Sequence, residues 1–298
     1  MKKTLCAVLC VLILSLGLAG CADTAHAQVA ATTLPVYEFT SRLCQGTPLE
    51  TVRLVTEEVS CLHDYSLNVR QVKAAEAAQT IVISGAGLED FMEELLLDAD
   101  VIDASASGMD FHIASHSHDH GQEEHHADDG HHHEVDPHIW LAPENAEIMV
   151  MNICSGLKER YPEHDEIFEA NAKALCEELD ALKEYGDTAL SSISCREMIT
   201  FHDGFSYFAD SFQLTILEAV EEESGSEASA KELIHLIEEV EHHNLPAIFT
   251  EVSGSDSAAS IIARETGVTC FPLDMAMAGD SYFDAMYHNI NTIKEALQ

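Results

Sequence analysis

The sequence predicts an α/β protein, with two Rossmann-like α/β lobes joined by one long rigid α-helix and a cleft between the lobes. Two observations predict this. In each half, short apolar runs alternate with segments of helical periodicity, the pattern of parallel strand–helix units. Between the halves, Phe168, Ala172, Leu175, Leu179, Leu182, Leu190 and Ile193 keep near-helical spacing. A helix over that stretch would reach ~45 Å, more than one small domain requires. It reads as a strut, with Gly186 as its weak point.

The chain has 298 residues, enough for two modest domains. Lys2 and Lys3 precede an apolar run, Leu5 to Ala19, that is short for a membrane span but suits the core of a signal peptide. It ends in Leu18-Ala19-Gly20-Cys21, which resembles the bacterial lipobox, where the cysteine is lipidated. Residues 1–20 are therefore expected to be a signal peptide, and 21–30 a polar tether anchored through lipid at Cys21.

The N-terminal lobe is expected over 31–161. Leu49–Val55, Ile81–Ser84 and Val101–Ala104 read as strands, and Val69–Gln79 and Leu88–Leu97 as helices. The second helix follows Gly85-Ala86-Gly87. A dinucleotide fingerprint would need a third glycine where Asp90 stands, so this is read as a tight strand-to-helix turn. Residues 112–135 lack apolar periodicity and are expected to form a mobile loop. The connecting helix is expected over 162–193 and the C-terminal lobe over 194–298. In that lobe Met198–Phe201, Leu214–Val220, Ala247–Thr250 and Val268–Leu273 read as strands, and Ala228–His243 and Ser257–Thr266 as helices.

Charge narrows the function. The chain carries 53 acidic against 14 basic residues, a formal charge of −39. Loss of residues 1–20 takes two lysines and no acids, leaving 12 basic residues and −41. Nucleic acid and anionic membrane surfaces would repel such a protein, whereas a divalent cation would be attracted. Most of these acids simply form a solvated surface. Past Cys21 stand Cys44, Cys61, Cys154, Cys176, Cys195 and Cys270, with no C-x-x-C pair to suggest a zinc ribbon. Six cysteines allow 15 pairings. Cys44–Cys61 and Cys195–Cys270 are the candidate disulfides, and free buried thiols the alternative.

Metal chemistry is suggested by histidine. Nine of the eighteen histidines lie between His112 and His133: His112, His116, His118, His120, His125, His126, His131, His132 and His133. Outside that run, three histidines and an aspartate sit at predicted element ends, where open α/β sheets place ligands. These are His63 in SCLHDYS, His138 in DPHIWL, His202 in ITFHDGF and Asp274 in FPLDMAM. Each alone is more often a hydrogen-bonded structural residue; two from each lobe make a joint case.

The strings SCLHDYS, SGAGLEDF, DPHIWLAPENA, ITFHDGFSYFA, FTE and FPLD occur in that order. Together with the lipobox and the His-rich run, they resemble the solute-binding lipoproteins of bacterial zinc and manganese ABC transporters, the ZnuA/TroA-like family. The resemblance covers essentially the whole chain. It implies a metal site in the cleft between the lobes, with His63, His138, His202 and Asp274 as ligands. It implies Glu251, in FTE, as an orienting carboxylate or alternate oxygen ligand, with a plain structural role equally open. It also implies a membrane permease with its ATPase as partner, a cell-membrane location outside the cytoplasm, and a monomer. Many relatives have proline where Leu62 stands, and AVEEESGSEASA replaces a commoner proline-containing segment, which bears on loop geometry.

Three imidazoles and a carboxylate favour Zn2+. Mn2+ prefers harder oxygen donors, and manganese-type relatives usually carry Glu in place of the third His, which makes His202 the discriminating residue. The His-rich run is then an accessory collector of weak sites, not the tight site. Some relatives have been described as adhesins. The rival of another class is an exported zinc hydrolase, but H-E-x-x-H is absent. His116-Ser117-His118-Asp119-His120 only approaches the metallo-β-lactamase-like H-x-H-x-D-H, with Asp one place early. Four protein ligands would also close the coordination position that catalysis requires.

Overall fold

All strand pairings are parallel in this computed structural model, which describes residues 27–57, 62, 65–106, 136–220, 228–254 and 256–298. The first sheet consists of β1 (Val29–Ala31), β2 (Thr51–Arg53), β3 (Thr80–Ile83) and β4 (Val101–Asp103), in the order β2-β1-β3-β4. The second consists of β5 (Glu197–Thr200), β6 (Thr215–Ala219), β7 (Ala247–Glu251) and β8 (Thr269–Leu273), in the order β6-β5-β7-β8. Each order reverses direction once, between β1 and β3 and between β5 and β7. Crevices for ligands open at such reversals, beyond the carboxyl ends of the strands.

The helices are α1 (Leu34–Leu43), α2 (Val69–Ala77), α3 (Glu93–Leu96), α4 (Pro143–Arg160), α5 (Asp165–Leu190), α6 (Ser206–Ser211), α7 (Ala230–His243), α8 (Ser257–Thr266) and α9 (Tyr282–Ala296). Their ends follow local chemistry. Asn68 caps α2 and Ser229 caps α7 through reciprocal capping boxes with Gln71 and Glu232. Pro143 opens α4, where its missing N–H costs nothing.

One continuous core runs through both lobes. It joins Val29, Ala31, Phe39 and Trp140 to Phe208, Phe249, Leu273 and Tyr282. Smaller clusters lie on the outer faces, around Ala75 and Met92 in the first lobe and around Leu236, Val240 and Ile262 in the second. The long helix α5 is the shared inner wall. Its stripe of Phe168, Ala172, Leu175, Leu179 and Leu182 is fully buried, each large side chain contributing about 1.5–3 kcal/mol. Rather than a free strut, α5 packs along its length on α1, α4 and α9.

Gly186 does not break α5. A Cβ there would stand 2.2 Å from Phe212 Cε1, so the glycine admits the Phe212 ring against the helix. A 3-10 turn, Pro162–His164, occupies the start of the stretch expected to be helical.

Three further expectations need correction. Val29 and Ala30, expected to lie in a tether ending at residue 30, form the fully buried central strand β1; three small apolar residues are too short to show a period. The helix expected over Leu88–Leu97 is a 3-10 turn, Asp90–Met92, followed by the single-turn α3. Glu89 causes this by folding inward. Its carboxylate accepts the Ser84 and Gly85 N–H groups at 2.8 and 2.9 Å and the Thr32 hydroxyl at 2.6 Å. The backbone donors that would cradle a phosphate are thus already used by the chain's own carboxylate, which excludes a dinucleotide there. Finally, Cys195 and Cys270 are free thiols and not a disulfide. Cys44 is also free, and burial pushes its thiol up to about 12; Cys61 lies outside the described residues.

The lobes are tied through the segment 275–282. Trp140 Nε1 donates to the Met275 carbonyl at 2.8 Å, and the Tyr282 hydroxyl donates to the Trp140 carbonyl at 2.8 Å. Arg53 donates to the Gly279 carbonyl at 2.8 Å, and the Tyr282 N–H to Glu38 at 2.6 Å. No helix among the described residues is long and apolar enough to cross a membrane.

Candidate metal centre

Two histidines from opposite lobes meet in the cleft. His138 precedes a 3-10 turn, Ile139–Leu141, that leads into α4; His202 follows β5 at the strand reversal of the second sheet. Their Nε2 atoms are 3.3 Å apart, with the rings edge to face at centroids 5.1 Å apart. His138 is 4 % exposed.

Each ring is held from behind by a carboxylate. Asp136 Oδ1 lies 2.8 Å from His138 Nδ1 and also accepts the His138 backbone N–H at 2.9 Å, fixing ring and main chain together. Asp136 is itself located by the Tyr207 hydroxyl, which donates to its carbonyl at 3.0 Å. Glu251 ends β7, beside β5, and its Oε1 lies 3.0 Å from His202 Nδ1. The Asp136 contact favours a proton on His138 Nδ1 and leaves that ring's Nε2 to ligate, while the 3.0 Å approach of Glu251 Oε1 to His202 Nδ1 is an ion-pair contact without hydrogen-bond geometry. The two Nε2 atoms face each other at 3.3 Å, close enough for one to donate to the other or for both to turn to a shared cation. Two nitrogens bound at about 2.0–2.1 Å to a tetrahedral zinc ion stand roughly 3.3 Å apart.

Asp274 follows β8 directly and is half-buried. Asn289, fully buried on α9, clamps its backbone from both sides. The Asn289 Oδ1 accepts the Asp274 N–H at 2.8 Å, and its Nδ2 donates to the Asp274 carbonyl at 2.7 Å. Asp274 Oδ1 accepts the Ala276 N–H at 2.7 Å. The neighbouring Met275 reaches the histidine pair across Gly204: a Cβ on Gly204 would stand 2.6 Å from Met275 Cε, 2.7 Å from His202 Cδ2 and 3.0 Å from His138 Nδ1.

The structure therefore brings His138, His202 and Glu251 into contact, with Asp274 next to Met275 on the adjoining strand end. His63, the nine histidines from His112 to His133, and Cys21 lie outside the described residues. Sequence reasoning missed Asp136, Gly204 and Asn289. Asp136 carried a signal, because it stands two residues before a candidate ligand within DPHIWL. Gly204 and Asn289 carried none, since their roles are steric and positional.

Comparison with known proteins shows the family. Residues 29–296 match the family model described as "Zinc-uptake complex component A periplasmic". The zinc-binding lipoprotein AdcA of Streptococcus pneumoniae is 29% identical over 277 residues, spanning 90% of this chain and 55% of the relative. The chain thus spans about half the length of the curated AdcA relatives it matches. A crystal structure of ZnuA superposes with a TM-score of 0.76 at 26% identity, covering 91% of this chain and 100% of that one. The Zn(II)-bound ZnuA-like domain of Streptococcus pneumoniae AdcA superposes with a TM-score of 0.72 at 26% identity, covering 90% and 98%.

Proposed function

The chain belongs to the family of zinc-uptake complex component A proteins, and from that premise we propose that it captures zinc outside the cytoplasm and delivers it to an ABC-type membrane permease. The observation that carries the reading is the pair of facing Nε2 atoms at 3.3 Å, each ring backed by a carboxylate at Nδ1. His63, His138, His202 and Asp274 are the proposed ligands. Asp136 and Glu251 hold the rings and raise their basicity. With Oδ1 engaged by the Ala276 N–H, Asp274 would offer its second oxygen. Zinc is favoured over manganese because imidazole outnumbers carboxylate in this set.

The protein on this reading is a carrier and not an enzyme, since four protein ligands leave no open position for a reacting water. Cys21 would carry the lipid anchor, and the segment 112–133 would gather zinc weakly. Release is favoured by acid, because a protonated imidazole cannot ligate.

The test is zinc titration of the chain lacking residues 112–133, with and without His202→Ala. One tight site is expected in the first and none in the second. Tight binding retained in the His202→Ala protein sinks the ligand assignment.

A further inference from the structure

A second cluster of metal-ligating side chains lies at the opposite end of β5 from His202. Glu239, His242 and His243 occupy the last turn of α7, and their ligand atoms lie within 4.8 Å of one another. His243 is the centre of the cluster. Its Nδ1 is 2.9 Å from Glu197 Oε2, at the start of β5, and its Nε2 is 3.5 Å from Glu239 Oε2. His242 is exposed and stacks edge to face on His243 at a centroid separation of 4.8 Å.

We propose that these residues form a second transition-metal site, separate from the cleft, that takes zinc or a similar borderline divalent ion. Glu239, His242 and His243 Nε2 are the ligands; Glu197 is the carboxylate behind the ligating ring. Three points carry this. The arrangement at His243 repeats that at His138 and His202, with a carboxylate on Nδ1 at 2.8–3.0 Å and Nε2 turned to other ligands. The Nε2-to-Glu239 separation of 3.5 Å is too long for a good hydrogen bond. It is close to the roughly 3.3 Å edge of a tetrahedron of donors about 2.0–2.1 Å from zinc. The ligands also end a helix, whose carbonyl terminus favours a cation.

Arg196, the chain neighbour of Glu197, does not compete. It is turned away, donating to the carbonyls of Leu190, Phe212 and Gln213 at 3.0–3.2 Å. A cavity of about 570 Å³ lined by Cys195, Glu197, His243 and Asn244 adjoins the cluster and gives an ion access. Two nitrogens and one oxygen suit zinc, copper or nickel and not magnesium or calcium. Three ligands leave a position open to water or to a donor from another molecule, so this site exchanges its ion where a four-ligand site holds it.

The inference does not depend on the cleft assignment, and its test reads the two sites separately. The full chain is equilibrated with zinc chloride from about 1 µM to about 1 mM, a range for exchangeable sites. Reaction of each histidine with diethyl pyrocarbonate is then followed by peptide mass spectrometry. His242 and His243 should be protected together with one midpoint in that range, and magnesium should protect neither. Glu239→Gln should raise the midpoint at least ~10-fold while leaving the protection of His138 and His202 unchanged. Absence of zinc protection at His242 and His243, or a midpoint that Glu239→Gln does not move, overturns the proposal.

Discussion

Gly204→Ala tests whether the cleft is a preorganised clamp. The added methyl group would stand 2.7 Å from His202 Cδ2, 3.0 Å from His138 Nδ1 and 2.6 Å from Met275 Cε. Carbon atoms in contact prefer about 3.5–4.0 Å, so His202 alone must give way by roughly 1 Å. The Met275 terminus is flexible and can turn aside. The histidine rings cannot retreat freely, because Asp136 and Glu251 hold them at 2.8 and 3.0 Å. Relief therefore comes from parting the two Nε2 atoms beyond their 3.3 Å separation, which takes at least one of them off the metal.

Loss of an orienting partner weakens metal sites by about 10–100-fold, and displacement of a ligand on this scale should cost at least that, or ~1.4–2.7 kcal/mol. Overpacking also destabilises the fold by about 1–3 kcal/mol, so stability must be measured beside affinity. Gly156→Ala is the control: its methyl group would stand 2.8 Å from Ile102 side-chain carbons, away from the histidines. Both variants should melt a few degrees lower. Competition with a chromophoric zinc chelator, in chains lacking residues 112–133, should show weakened binding only for Gly204→Ala. Equal zinc affinity in the parent and Gly204→Ala, within about twofold, refutes the argument that this glycine keeps the two rings in register.

Other expectations concern charge, packing and metal release. Glu147, on α4, is hydrogen-bonded to the Asp180 side chain of α5; burial and that neighbouring carboxylate push it up to about 7. Because its folded value is raised, the stability it gives is present in acid and fades as pH rises through about 7. The loss therefore runs between about pH 4.5 and 7, so Glu147→Gln should flatten the melting temperature over that window and leave it ~1–2 °C higher above pH 7, a small gain because the exposed Asp180 is screened by solvent; an unchanged pH profile contradicts this. Gly186→Ala should lower the melting temperature even though alanine is better in a helix by about 1 kcal/mol, because its methyl group meets the Phe212 ring at 2.2 Å; a rise would show that Phe212 repacks freely. Zinc affinity should fall as pH drops from about 7 to about 5, by up to ~1,000-fold per unit where the three proposed imidazoles must each lose a proton to bind; a flat dialysis profile argues against histidine ligands. Deletion of residues 112–133 should remove several weak equivalents and spare one tight one, and loss of the tight one would move the site into that segment.

Much of the architecture was legible because parallel strands are buried on both faces and read as short apolar runs, as in IVI of β3 and AIFT of β7. β1 was not, because VAA is too brief to rise above its polar surroundings. Nor was the broken helix after Gly87, because the inward turn of Glu89 is decided by the donors at Ser84 and Gly85, which pattern alone does not reveal. At the site, His138 and His202 stood out by residue type and by their place at element ends. That Glu251 approaches His202 depends on β7 lying beside β5, which is tertiary information. The same holds for Gly204, whose absent side chain matters only once Met275 and both histidines surround it.

The ties between the lobes bear on how such a site can bind tightly and still release its ion. Met275, Gly279 and Tyr282 follow Asp274 and are each hydrogen-bonded to the first lobe, at Trp140, Arg53 and Glu38. Opening the cleft as a wide hinge would break these bonds and split a core that runs from Val29 to Leu273. Movement confined to the ligand-bearing loops breaks neither. On the proposed ligand set, affinity would be set by how firmly each imidazole is held in place, which the carboxylates behind the rings would govern. Asp136→Asn and Glu251→Gln keep the shapes and remove the charges. Each should weaken zinc about 10-fold or more without lowering the melting temperature appreciably. If both leave chelator competition unchanged, the rings are held by packing alone, and the carboxylates behind them are structural.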